Sequence, residues 1–554
     1  MTSSEAFPVI GSPSSLLIHR LLDRSSAWAP SRRIVYRDLF SCTYPEFRTR
    51  VHQLAAALTR LGVRQGDRIG VLDWDSHRYL ECFFAIPMIG AVLHTINTRL
   101  APDQILYTID HAGDRFLLCH PDFLPVINPL KERMPAVEGV VLLPDEPPTT
   151  PCAWPALGNY EELLARESAP FAFPEFDEQT PATLFYTTGT TGDPKGVFFS
   201  HRQIVVHSLA AGLALTSNPE PVPLRADDTY LPLTPMFHVH AWGVPYIATL
   251  LGLGQVYPGR FEASTCLRLI RTHQVTFSHC VPTLLQMLLH HPDAQGFDWS
   301  RFKVIIGGAA LPRGLASLAM KQGMRVMAGY GMSETCPIVS LAQVKPEDAA
   351  LSVDDHLDIL TRAGFPIPLA EAALVDAEDR PVDPRSGIAG ELVLRAPWLT
   401  PGYFRDPERS RQLWRTGWLH TGDIAVIDPA GYLRITDRLK DVIKISGEWI
   451  SSLELENALS QHPAVREVAV IGLPDPKWDE RPHAEVVLKE GFTPAPTAKD
   501  LHHFLRTFVD RGLIHKRAIL TEVHFVPSIP KTSVGKVNKR AMRQDLGTTH
   551  PKPA

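Results

Sequence analysis

Residues 186–197, YTTGTTGDPKGV, set threonines and glycines in a run ahead of one lysine. Glycine lets backbone N–H groups close on an anion, threonine adds hydroxyl donors, and lysine adds a movable positive charge, so the stretch predicts a phosphate-holding loop. The ATPase phosphate loop would need a Gly-Lys pair followed by Ser or Thr. Here Lys195 follows Pro194 and precedes Gly196, which implies another grip on the anion. For this loop alone, a solvated Gly/Thr turn between two strands is the alternative. His238 and His240 form an H-x-H pair without an acid or cysteine at ligand spacing, which argues against a metal site there.

Such residues need elements to hold them. Short aliphatic runs alternate with amphipathic stretches. DRIGVLDWD reads as a strand, HRYLECFFAIPMIGAV as a helix, and ATLFY as a strand entering the loop, with GVFFS as the strand leaving it. Ser200 and Gln203 then form a capping-box pattern that opens the helix HRQIVVHSLAAGLAL. Strand, glycine loop and helix in alternation indicate an α/β fold with parallel or mixed sheets. Residues 143–181 read as a connecting loop with one helix, YEELLARE.

A boundary is expected near residue 438. GYLRITDRLKDVIKISGEWISSLELENAL runs from a strand through a charged hexapeptide into a second strand, a turn, and a helix opened by Ser451 and Glu454. Beyond it REVAVIGLPD and AEVVLKE read as strands and KDLHHFLRTFVDRG as a helix. Lys516, Arg517, Lys531, Lys536, Lys539, Arg540 and Arg543 make the end of the chain basic, which by itself reads as a solvated face.

Composition bounds the function. With 554 residues, two or three domains are expected, and a net charge of −5 gives no reason to expect a nucleic-acid partner. The seven scattered cysteines contain no C-x-x-C and fit a reducing cytoplasm. No basic stretch precedes an apolar run at the N-terminus. The uncharged residues 239–259 carry His, Gln, prolines and glycines, so they read as buried core rather than a membrane span.

Seven motifs in order, TTGTTGDPKG, TPMFHVHAWG, GGAALP, GYGMSET, HTGD, DRLKDVIKISGEWIS and PKTSVGKVNKR, resemble those of the adenylate-forming superfamily of acyl-CoA synthetases, luciferases and peptide-synthetase adenylation domains. The resemblance spans about residues 15 to 545, and PMFHVHAWGVPY with GEWISSLELENAL is most similar to bacterial fatty-acyl-CoA synthetases of medium- or long-chain type. It implies a large N-terminal domain of several mixed β-sheets with flanking helices, residues 1–437, and a small mobile α+β C-terminal lid, residues 438–554, turning about a hinge at Lys440.

The same resemblance implies the chemistry: ATP activates a fatty acid as an acyl-adenylate, pyrophosphate leaves, and the thiol of coenzyme A displaces AMP. Thr187, Thr188, Gly189, Thr190, Thr191, Gly192 and Lys195 would hold the phosphates, Glu334 with Thr187 would hold Mg²⁺, and Ser333, where the family usually has Thr, would bond the α-phosphate. Gly308, Ala328, Gly329 and Tyr330 would form the adenine pocket. Asp423 and Arg438 would bind the ribose, and Lys440 and Trp449 also fall among the nucleotide-binding positions. His238 would lie between the acyl carboxylate and the α-phosphate, and Trp242 would gate the acyl tunnel or simply belong to the core. Lys536 would serve adenylation, while Lys444 would serve thioester formation, with Gly447 leaving room for pantetheine. Aryl or short thioether acids, loading of a carrier protein by a fatty-acyl-AMP ligase, and an inactive nucleotide-binding regulator are the alternatives. The closest resemblance suggests a homodimer.

Overall fold

The computed structural model describes residues 14–187, 193–217, 221–445, 448–532 and 536–547. Four sheets organise them. The first has seven strands in the order Ala156–Asn159, Gly139–Leu142, Asp114–Cys119, Arg68–Leu72, Val92–Thr95, Pro181–Thr187, Lys195–Ser200. Its strands are parallel except for the last pair, an antiparallel hairpin that sets Thr187 opposite Lys195. Strands such as Arg68–Leu72 and Val92–Thr95 are buried almost throughout, because helices cover parallel sheets on both faces.

The second sheet has nine strands. Its centre is parallel, running Arg325–Gly331, Lys303–Ile306, Phe277–Cys280, Thr229–Pro232, Gly254–Tyr257, Arg33–Tyr36, and antiparallel strands close both ends. One hydrophobic core joins these two sheets to the third, an antiparallel four-stranded sheet of Glu371–Val375, Gly390–Arg395, Leu419–Ile427 and Leu433–Arg438.

The C-terminal domain is built on the fourth sheet, whose longest strands are Val465–Asp475 and Asp479–Leu488. The helices Ser452–Ser460 and Ala498–Asp510 pack on it through a core of their own. The fold is thus α/β in the large domain and α+β in the small one. Among the described residues no helix is long and apolar enough to cross a membrane, and all seven cysteines are free.

The expected helix cap is present: Ser200 N–H donates to Gln203 Oε1 at 2.8 Å and Gln203 N–H to Ser200 Oγ at 3.3 Å. At residue 451 only half of the box forms. Glu454 N–H donates to Ser451 Oγ at 3.1 Å, while the Ser451 hydroxyl turns to the Thr436 carbonyl. The helix expected over residues 77–92 stops at Met88. Gly90, at φ +78°, turns the chain, and Val92–Thr95 enters the sheet beside Arg68–Leu72. Within 143–181 a short strand, Ala156–Asn159, precedes the expected helix, because a sheet edge was open to it.

The basic C-terminal stretch is paired rather than simply solvated. Lys531 meets Glu467 at 2.5 Å, Lys539 meets Glu456 at 2.7 Å, and Arg543 meets Asp441 at 2.8 Å.

Candidate active site

Four parallel strands, Thr229–Pro232, Phe277–Cys280, Lys303–Ile306 and Arg325–Gly331, end on the same side of their sheet. From those carboxyl ends emerge the turn carrying His238, the Gly307-Gly308 pair, and the segment Tyr330 to Glu334. Ligands of open α/β sheets bind at such ends.

The hydroxyl of Tyr330 donates to Asp423 Oδ2 at 2.7 Å. Arg438 Nε lies 3.4 Å from the other oxygen of Asp423, its cross-strand partner in the third sheet. Burial, reinforced by the Asp423 charge, holds the Tyr330 hydroxyl well above its ordinary range, so it remains a donor. Ala328 is buried midway along the strand Arg325–Gly331, and Ser333 sits half-buried in the turn Ser333–Thr335.

Glu334 is buried, and its Oε1 accepts the Tyr403 hydroxyl at 2.7 Å. The Tyr403 ring carries Lys195 Nζ 4.6 Å from its centre, a cation–π contact that restrains the lysine. Val197 bridges to Tyr403, and Phe404 N–H donates to the Gly196 carbonyl at 2.8 Å. Thr187, Lys195, Tyr403 and Glu334 are therefore linked in one chain of contacts. No sequence pattern singles out Tyr403; only the pairing of its segment with the hairpin does. Thr188, Gly189, Thr190, Thr191, Gly192 and Gly447 lie outside the described residues, as does the side chain of Trp449.

The chain from Val239 to Gly243 forms a left-handed turn, with φ of 49°, 56°, 47°, 60° and 72°. For each non-glycine residue that geometry costs about 1–2 kcal/mol, so it persists only where surrounding contacts impose it. Asp75 Oδ1 accepts the Met236 N–H at 2.7 Å, and the Thr95 hydroxyl donates to the Phe237 carbonyl at 2.9 Å. Burial pushes the Asp75 carboxyl up to about 7, against the pull of the Met236 N–H and Arg99.

His240 is fully buried, caged edge-on by Phe83, Phe185 and Tyr246. His238 instead faces the site. Burial, then the charges of Lys536 and Arg99, lower it to about 3, so it is a neutral imidazole at any working pH. The two histidines thus point into different surroundings. Trp242 is buried against His279, with ring centres 4.8 Å apart. A Cβ on Gly307 would lie 3.1 Å from its Cη2 and 2.9 Å from the Gly329 carbonyl, which explains the glycine.

Lys536 reaches this region from the C-terminal domain. A Cβ on Gly308, whose φ is +73°, would come within 2.9 Å of Lys536 Cε. Burial, with Arg438, brings the amine down to about 8, while Asp423 and Glu334 favour its charged form. Lys440 lies in the turn that follows Leu433–Arg438, where Asp441 N–H donates to the Arg438 carbonyl at 2.8 Å. Lys444 is not gathered with the others: it is exposed on the strand Ile443–Ile445, its N–H on Glu480 Oε2 at 2.8 Å.

Residues 22–404 match the family model of AMP-binding enzymes, and residues 454–536 match that of the AMP-binding enzyme C-terminal domain. A long-chain-fatty-acid–CoA ligase of Thermus thermophilus is 40% identical over 547 residues, 97% of each chain. A 3-methylmercaptopropionyl-CoA ligase of Ruegeria lacuscaerulensis is 36% identical, covering 96% of this chain and 97% of its own. Among solved structures, the anthranilate CoA ligase AuaEII in complex with anthranoyl-AMP superposes with a TM-score of 0.85 at 25% identity, over 97% of this chain and 99% of that one. The ordered motifs, the two-domain fold and these likenesses agree: the chain belongs to the AMP-binding, adenylate-forming enzyme family.

Proposed function

We propose that the protein is an ATP-dependent fatty acid:CoA ligase that works through an acyl-adenylate. The observation that carries this reading is the approach of Lys536 to Gly308, beside the charges of Glu334, Asp423 and Arg438. The first step needs positive charge where carboxylate and phosphate oxygens meet. A carboxylate oxygen attacks the α-phosphorus, the bond to the bridging oxygen breaks, and pyrophosphate leaves with that electron pair. Positioning and charge neutralisation supply most of the acceleration. In this reading the Lys536 amine bonds the reacting oxygens and neutral His238 adds an uncharged N–H donor. Ser333 bonds the α-phosphate, Lys195 and the threonines of its loop hold the departing pyrophosphate, Tyr330 stacks on adenine, and Asp423 with Arg438 binds the ribose.

The buried Glu334 carboxylate, one oxygen of which is engaged by Tyr403, and the Thr187 hydroxyl are hard oxygen donors of the kind that suits Mg²⁺. Bound there, Mg²⁺ would neutralise phosphate charge. In the second step the thiol sulfur of coenzyme A attacks the acyl carbon, its proton passes to solvent, and AMP leaves. The proposal assigns residues 1–437 to the nucleotide- and acyl-binding domain and 438–554 to a lid that rotates about Lys440. That rotation would replace Lys536 with Lys444 and open a pantetheine path past Gly447. Trp242 is proposed as the gate of the acyl path, and a cytoplasmic homodimer is proposed as the working form.

The test is pyrophosphate release from ATP with acids from acetate to palmitate, benzoate and methylthiopropionate, with and without CoA. A maximum among the fatty acids and a CoA-dependent thioester are expected. A maximum at methylthiopropionate, the substrate type named for the Ruegeria relative, would replace the fatty acid with a short thioether acid. Acid-dependent turnover without thioester would favour carrier loading, and no turnover would favour a regulator. Glu334→Gln is expected to raise the Mg²⁺ concentration needed for adenylation; unchanged rates at every Mg²⁺ concentration would refute its role.

A further inference from the structure

In the C-terminal sheet the edge strand Glu522–Phe525 runs parallel to Asp479–Leu488, setting His483 beside Glu522 and Glu485 beside His524. Because side chains alternate along a strand, these four share one face of the sheet. One ligand atom from each of His483, Glu522 and His524 lies within 4.8 Å of the other two. The imidazoles are stacked, with ring centres 4.3 Å apart and planes inclined by 22°, so the half-exposed His524 ring must turn for both rings to face one ion. His483 is buried beneath its neighbours, whereas the side chains of His524 and Glu522 are about half exposed, which leaves the cluster open to solvent on one side.

We propose that this sheet edge binds a divalent transition metal of the zinc class through His483, Glu522 and His524. Two imidazoles and one carboxylate, with a remaining position open to water, form a donor set that favours Zn²⁺ and its neighbours over the oxygen-seeking Mg²⁺. Glu522 Oε1 is held by Arg481 at 2.5 Å, and Glu522 Oε2 lies 3.8 Å from His524 Nε2. The arginine therefore fixes one carboxylate oxygen and leaves the other on the histidine side. A second cluster, Asp379, Glu391 and His420, satisfies the same distances but differs in this respect. There Arg415 lies 2.6 Å from Glu391 Oε2 and 3.2 Å from Asp379, and the Gly422 N–H donates to Glu391 Oε1 at 3.0 Å, so both oxygens of Glu391 are already engaged.

A metal bound at the sheet edge would tie a four-residue edge strand to the central strand of the lid. The chain leaving that edge strand leads on to Lys536, so the clip would stiffen the support of the site lysine.

The experiment uses the full-length protein, stripped with a chelator and desalted, then titrated with Zn²⁺ against a chromophoric chelator, with Co²⁺ absorption as a second readout. Wild type is expected to bind one equivalent that His524→Ala loses and that Glu522→Gln weakens at least about tenfold, the loss that even an outer-shell partner brings. Arg481→Ala is expected to tighten binding by freeing the second carboxylate oxygen. Co²⁺ bound to wild type should give the intense visible bands of a four- or five-coordinate ion, which His524→Ala should lose. Identical Zn²⁺ isotherms for wild type, His524→Ala and Glu522→Gln would overturn the site, as would a weak six-coordinate Co²⁺ spectrum in wild type. His524 and Glu522 are exposed side chains on an edge strand, so both variants retain the fold against which binding is read.

Discussion

Lys536 lies against Gly308 within the electrostatic reach of Arg438, Asp423 and Glu334, whereas Lys444, in the same small domain, stands exposed at the strand Ile443–Ile445. A charge in water loses most of its pull on a substrate to screening, while one taken into a cleft keeps it. On the proposed mechanism, burial therefore gives Lys536 and not Lys444 the stronger pull on a substrate in this arrangement of the two domains. That mechanism gives this arrangement adenylation, and Lys444 waits for the lid to turn.

Lys536→Ala has the largest expected effect. It should slow acyl-adenylate formation by about 100-fold, the cost of roughly 3 kcal/mol of transition-state charge stabilisation. Conversion of supplied acyl-AMP to acyl-CoA should be spared, as single-turnover assays of each half-reaction will read. Lys444→Ala should do the reverse at smaller size, slowing thioester formation by about tenfold while adenylation stays within about twofold. If both variants slow both half-reactions equally, the two lysines are not divided between steps.

A pH profile sharpens the assignment. The Lys536 amine, lowered to about 8, is charged below that pH and neutral above it. Adenylation should therefore fall as pH rises through about 8, losing close to tenfold per unit beyond it. Lys536→Arg, which cannot deprotonate, should remove that limb even at a reduced maximum rate. A wild-type profile that stays level to pH 10 in single-turnover adenylation would detach the first step from this amine.

Tyr403→Phe keeps the ring beneath Lys195 and removes only the hydrogen bond to Glu334. A severalfold loss of adenylation, partly recovered by added Mg²⁺, is expected from a bond of that class. Trp242→Ala should have the smallest effect on rate. It should shift preference along the acid panel by a few-fold per methylene pair while leaving the ATP requirement intact. An unchanged chain-length preference would return Trp242 to the core it packs against.

Much of this molecule is written locally. Two aliphatic runs flanking the threonine-glycine stretch announce its hairpin, and Ser200 with Gln203 announces the helix beyond, because each signal depends on neighbours a few residues apart. The order of motifs likewise identifies the family. Other features depend on distant residues. A left-handed run through Val239, His240, Ala241 and Trp242 has no local sequence signal, since each residue prefers another geometry; Asp75, Thr95 and an aromatic cage from other elements impose it. Tyr403 reaches Glu334 only because its segment pairs with the hairpin. In the C-terminal basic run, solvated by its composition, Lys531, Lys539 and Arg543 are paired with Glu467, Glu456 and Asp441 from elsewhere in the chain. The family is legible along the chain because each of its motifs is a short local run. Which lysine lies in the cleft is a matter of packing, because desolvation and charge pairing are set by atoms remote in the chain.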